Sequence, residues 1–201
     1  MQLIETIRFE QGKFSNLIFH QNRMDNSRKM LFNCKEEINL PTILQEASIE
    51  ISDKGLYKCR VIYNSEITKI EFIPYNISDI KSLKLVSGDD IDYSHKYLDR
   101  MQINKLLTYK GSSDDIIIVK KGLVTDSSNA NLLFYNGKKW LTPAMPLLVG
   151  TQRTKLIKQE KIQVADIRSE DLHNFQKVRL INAMLRFEDE LDVPSENIKT
   201  F

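Results

Sequence analysis

The chain has 201 residues, 41% hydrophobic and 28% charged, with 29 Lys+Arg against 27 Asp+Glu and a formal net charge of +2. That balance suits one substantial globular domain or two small ones, and its interleaved charges lack the basic block that nucleic-acid binding uses. The opening MQLIETIRFE interrupts its first apolar stretch with Glu5 and Arg8, unlike a secretory leader. No apolar run approaches the ~20 residues of a membrane helix, and two cysteines with three histidines show no metal-ligand spacing. The expectation is a cytoplasmic, metal-free α/β protein with no nucleic-acid or membrane partner.

In chain order, Leu3 to Phe9 reads as a strand broken by Gln11-Gly12, and Leu17 to Phe19 as a second strand completing a hairpin. His20 to about Phe32 suits a helix with Met24, Leu31 and Phe32 on its buried face, and Pro41 opens another through about Glu50. Gly55 to Tyr63 and Ile67 to Tyr75 are strands around Asn64-Ser65, and Ser82 to Ser87 is a shorter strand before Gly88-Asp89-Asp90. Ser94 is placed as the N-cap of a helix through roughly Tyr109, closed by Gly111. Asp115 to Lys120 is a buried strand, and Leu132 to Tyr135 and Trp140-Leu141 flank an Asn136-Gly137 turn. A helix from Gly150 to Lys158 and a strand from Lys177 to Leu185 follow. The texture changes near residues 86–93, giving a small α/β domain at 1–88 and a larger one at 89–201.

Five segments then stand out together. They are ETIRFEQGKFSNLIFHQNRM at 5–24, SHKYLDRMQ at 94–102, GLVTDSSNANLLFYNGKKWLTP at 122–143, LLVGTQRTKLI at 147–157 and VRLINAMLRF at 178–187. In this order they resemble the class IV pyridoxal-phosphate aminotransferase family, closest to its aminodeoxychorismate lyase branch. The resemblance implies a fold-type IV architecture of the D-amino acid aminotransferase kind, α/β (α+β), with two small domains and the cofactor between them. It also implies a homodimer acting on a small amino-acid-like substrate.

Carried over residue by residue, the resemblance makes Lys96 the lysine that links covalently to pyridoxal 5'-phosphate. Its amine, once released by substrate, moves the catalytic proton. Asp126 falls where the family sets a carboxylate against the pyridine nitrogen, although glutamate is usual there. Arg23 matches the phosphate arginine. Gly150, Thr151 and Gln152 match the backbone cradle at a helix start, and Asn182 and Ala183 complete the cup. Thr6 and Arg8 lie on one face of the opening strand, opposite Glu5 and Ile7. There Thr6 would relay a proton and Arg8 would meet a substrate carboxylate. Read alone, Lys96 also suits a solvated helix-start lysine, Arg23 a surface arginine, and Asp126 a loop cap beside Ser127 and Ser128.

Family members usually carry further strands before the ETIR segment, and Asp99 stands where lyases often have asparagine. The Ile-Asn-Ala-Met run at 181–184 and the ETIR opening favour the lyase, which eliminates pyruvate from 4-amino-4-deoxychorismate to give 4-aminobenzoate for folate synthesis. Two alternatives stay open: transamination of branched-chain or D-amino acids, and a non-catalytic protein that keeps the fold.

Overall fold

A computed structural model describes residues 1–51 and 55–201. The chain forms two compact units, Met1–Ile77 with His95–Asp99, and Ser78–Ser94 with Arg100–Phe201. The domain boundary expected at 88/89 thus lies within the second unit. Among the described residues no helix is long and apolar enough to cross a membrane.

The first unit is an antiparallel sheet backed by two helices. Its strands are β1 (Leu3–Glu10), β2 (Lys13–Phe14), β3 (Leu56–Tyr63) and β4 (Ile67–Pro74), in the order β2-β1-β3-β4. Gln11 and Gly12 both have positive φ, at 51° and 71°, the backbone of a two-residue hairpin that matches strand twist. The helices are α1 (Leu17–Phe32) and α2 (Leu40–Ala47), the latter capped by Asn39, whose side chain accepts from the Thr42 N–H. Leu3, Ile7, Met24, Leu40, Leu44, Cys59, Val61 and Tyr63 form the core.

Leu17 to Phe19, expected as a strand, is instead the first turn of α1. Three apolar residues cannot distinguish a period of 2 from one of 3.6. The longer spacing Leu17, His20, Met24, Leu31 decides it, with Ile18 left 62% exposed.

The helix expected from Ser94 is corrected more sharply. Residues 94–100 are not helical, and α3 runs only from Met101 to Leu107, with a 3-10 turn at Thr108–Lys110. His95–Asp99 runs beside β1 instead: Ile4 N–H donates to the Lys96 carbonyl at 3.0 Å, and Leu98 N–H to the Gln2 carbonyl at 3.0 Å. Backbone pairing with a strand more than 90 residues earlier in the chain outweighs the local helix signal, and Lys96 is held in an irregular segment bridged to β1 at Tyr97.

The second unit is built on a larger mixed sheet. Its elements are β5 (Leu83–Ser87), β6 (Asp115–Lys120), β7 (Leu123–Ser127), β8 (Asn131–Tyr135), β9 (Trp140–Pro143), α4 (Thr151–Lys158), β10 (Gln163–Ala165), β11 (Lys177–Ile181), β12 (Asp192–Pro194) and β13 (Ile198–Lys199). The order is β10-β9-β8-β7-β6-β5-β13, and β11 pairs with β8 and β12. Its core includes Leu83, Ile117, Val124, Leu132, Phe134, Val178 and Leu180. The strand expected to reach Leu185 stops at Ile181, because the Asn182 side-chain oxygen accepts from the N–H groups of Met184 and Leu185 at 2.8 and 2.9 Å, turning the chain.

Candidate active site

In the first unit, alternation along β1 sends Glu5 to the helix side of the sheet and Thr6 and Arg8 to the other. Glu5 is fully buried and accepts from Arg23 Nε at 2.8 Å and Arg23 Nη2 at 2.5 Å, while His20 Nδ1 lies 2.6 Å away. Burial pushes the Glu5 carboxyl upward, but the charge of Arg23 and hydrogen bonds from His20 and Arg23 outweigh it and leave the group at about 2. Arg23, expected at a phosphate, is therefore an arginine with a fixed carboxylate partner. Lys96 is half-buried, with its backbone on β1 and its charge within reach of His20. Its neighbour His95 has Nδ1 at 3.3 Å from the Ser27 hydroxyl.

Thr6 is half-buried opposite Arg60, and Arg8, 2% exposed, is opposite Lys58. Arg8 donates from Nε and Nη2 to the two Glu10 carboxylate oxygens at 3.1 and 3.2 Å. The shared face expected for Thr6 and Arg8 is present, and Glu10 extends it.

In the second unit, Asp126 ends up buried near the close of β7. Its Oδ1 accepts from Asn131 Nδ2 at 2.7 Å and its Oδ2 from the Leu148 N–H at 2.9 Å. Burial pushes its carboxyl up to about 6, against the opposing pull of these hydrogen bonds and of Arg153. Asn131 also donates to the Leu148 carbonyl at 2.9 Å, so it ties Asp126 to the segment entering α4.

Gly150 is the N-cap of α4, with no side chain capping the helix. A Cβ at residue 150 would fall 1.9 Å from Asn131 Oδ1, so only glycine fits. Thr151 and Gln152 are buried in the first turn, and Arg153 anchors it by donating to the Pro143 carbonyl at 2.9 Å. Asn182 donates to the Asn129 carbonyl at 3.2 Å, joining the end of β11 to the loop between β7 and β8, with half-buried Ala183 beside it. Arg100 donates to the Ser128 carbonyl of the same loop at 2.5 Å.

The second unit thus brings together Asp126, Gly150, Thr151, Gln152 and Asn182 through two asparagines and one loop. A helix start whose N–H groups point outward from a side-chain-free cap suits a phosphate, and a buried carboxylate nearby suits a protonated ring nitrogen. Sequence reasoning missed Glu5, His20, Asn131 and Arg100. Glu5 carried a signal: it is the one charged residue in the alternating run Leu3, Glu5, Ile7, Phe9.

Both clusters sit on a mixed fold that is mostly sheet. The family model for amino-transferase class IV matches residues 2–187, and the chain belongs to that family. An uncharacterized protein of Haemophilus influenzae is 43% identical over 190 residues, covering 90% of this chain and 97% of the relative. A crystal structure from Haemophilus somnus, provisionally designated a 4-amino-4-deoxychorismate lyase, superposes with a TM-score of 0.86 at 39% identity, covering 92% of this chain and 97% of that one. A hypothetical aminotransferase of Mycobacterium tuberculosis in its pyridoxal-phosphate-bound form shares the fold, with a TM-score of 0.77 at 17% identity, over 98% of this chain and 81% of that one.

Proposed function

We propose that this protein is a pyridoxal-phosphate lyase that releases pyruvate from 4-amino-4-deoxychorismate. The observation that carries the cofactor reading is the buried Asp126 joined through Asn131 to the glycine-capped start of α4. The similar Haemophilus somnus protein supports the lyase.

When bound, pyridoxal phosphate supplies an electron sink for negative charge developing beside a substrate amino group. The chain's own residues do the rest. Lys96 holds the cofactor through its amine and, once released, moves the proton at the substrate carbon. Arg23 and the backbone of Gly150, Thr151 and Gln152 hold the phosphate, and Asn182 and Ala183 close the cup. Asp126 keeps the ring nitrogen protonated. Arg8, its guanidinium fixed by Glu10, meets a substrate carboxylate, and Thr6 relays a proton on the same strand face. The reading carries a homodimer from the family resemblance, together with the cytoplasmic location expected from the sequence.

The test is the visible absorption of purified protein with added cofactor, before and after borohydride reduction, for the wild type and Lys96→Ala. A band that borohydride abolishes in the wild type and that Lys96→Ala lacks is expected. A wild type that stays colourless would sink the reading. Pyruvate release from aminodeoxychorismate, scored against amino transfer to 2-oxoglutarate, then separates lyase from aminotransferase.

A further inference from the structure

Leu3, Glu5, Ile7 and Phe9 share the core face of β1, and Glu5 is as buried as its apolar neighbours. An ionised carboxylate in such a place costs several kcal/mol unless charges and hydrogen bonds compensate for it. Helix α1 supplies both by presenting His20 and Arg23 three residues apart, which puts them on one helical face. Arg23 closes a two-pronged pair with the two carboxylate oxygens, and His20 adds a third contact at Oε2. Burial, only partly offset by Glu5, holds the His20 pKa below its ordinary value, so a neutral imidazole donates from Nδ1 to an anionic Glu5.

The guanidinium is planar, so fixing one edge fixes the direction of the other. Glu5 takes the edge formed by Nε and one hydrogen of Nη2. The edge formed by Nη1 and the second Nη2 hydrogen is thereby turned away from Glu5, and the Arg23 side chain is 15% exposed against 0% for Glu5. The same strand holds the lysine segment, because the N–H of Ile4, the residue before Glu5, donates to the Lys96 carbonyl at 3.0 Å. One strand therefore fixes Lys96 by its backbone and Arg23 by a side chain.

We propose that Glu5, backed by His20, is a positioning residue that aims Arg23 at the phosphate of the cofactor. The inference rests on the pyridoxal-phosphate reading above. It assigns Glu5 an effect on phosphate recognition and none on the ring or the lysine link.

The experiment compares the affinity of the full-length protein for pyridoxal phosphate and for pyridoxal, which lacks the phosphate. Glu5→Gln keeps the shape and removes the charge. It should lower affinity for pyridoxal phosphate by about ten-fold or more, the usual scale for outer residues that orient a ligand-binding group, and leave pyridoxal affinity unchanged. Arg23→Ala should show the same selectivity, and Glu5→Gln should add nothing in the Arg23→Ala background. His20→Asn, whose amide can replace the Nδ1 donor, should give a smaller loss with the same selectivity, and it carries the test if Glu5→Gln fails to fold. Equal losses for both compounds, additive losses in the double variant, or no selective loss in Arg23→Ala would each overturn the proposal. A wild type that binds neither compound would remove the pyridoxal-phosphate reading itself, and the proposal with it.

Discussion

Asn131 donates to Asp126 at 2.7 Å from its amide nitrogen, while its amide oxygen occupies the space where a Cβ on residue 150 would sit. One side chain thus links the carboxylate proposed for the ring nitrogen to the helix start proposed for the phosphate. The φ of Gly150 is −72°, which any residue adopts, so the demand for glycine is steric and comes wholly from Asn131.

Gly150→Ala tests that link. The added methyl must displace the Asn131 amide, and this disturbs its bonds to Asp126 and to the Leu148 carbonyl. Overpacking of this kind costs about 1–3 kcal/mol. The expected result is a lower unfolding midpoint in denaturant together with weakened cofactor binding. Wild-type stability and binding in the variant would show that the close approach is not maintained in solution.

Asp126 makes a prediction in pH. Burial raises its carboxyl from 3.8 to about 6 in the folded chain. Between those values the folded state binds more protons than the unfolded one, so this group's contribution to stability falls as pH rises through the window and is level above it. A protonated ring nitrogen needs the ionised carboxylate, so cofactor affinity should climb as pH rises through about 6. Titrating binding in the wild type and in Asp126→Ala checks this. The variant should lose that step and lose turnover by about 100-fold, the scale of removing one preorganised electrostatic partner. A step of equal size in both proteins would assign it to another group.

How far the sequence carried this reading depends on the kind of signal. The buried strand Asp115–Lys120 was legible residue for residue, because a run of isoleucines between polar ends admits little else. Strand β7 was not, because it contributes Thr125, Asp126 and Ser127 to the interior, and those side chains are satisfied by partners distant in sequence or across a loop. Its hairpin with β6 turns on Lys121 and Gly122, at φ 49° and 80°, where lysine gives no turn signal. The segment around Lys96 was misread as helix because its structure comes from Gln2 and Ile4, which no local window contains. The candidate site residues were placed by the order of family-like segments, with no help from local pattern. The groups that hold them, Glu5, Asn131 and Arg100, became visible only through contacts.

Arg100 shows what such a supporting group does. Its guanidinium donates to the Ser128 carbonyl, in the loop whose Asn129 carbonyl accepts from Asn182. Arg100→Ala removes a charge-assisted bond to a buried serine, with an expected loss of about 1.5–3 kcal/mol of stability. The loop between β7 and β8 should loosen first. Hydrogen exchange should report faster exchange at Ala130, whose N–H donates to Ser127 Oγ at 3.1 Å, with the N–H groups of β3 unchanged. Uniform acceleration across both units would mean that the bond supports global stability rather than the loop.

Glu5 makes the last prediction, in acid. Its carboxyl is held at about 2 against an ordinary 4.5, because Arg23 and His20 outweigh the cost of burial. A group whose pKa is depressed by folding contributes its full stability above the unfolded value and loses it as pH falls toward the folded one. Glu5 should therefore contribute on the order of 3 kcal/mol at neutral pH, all of it present above 4.5 and draining away between 4.5 and about 2. Denaturant unfolding of the wild type and Glu5→Gln across that range measures the difference directly. The two stabilities should converge as pH falls, because protonating Glu5 in the wild type makes it the neutral side chain that the variant already carries. Curves that stay a constant distance apart down to about pH 2 would mean that the buried pair with Arg23 is not ionic.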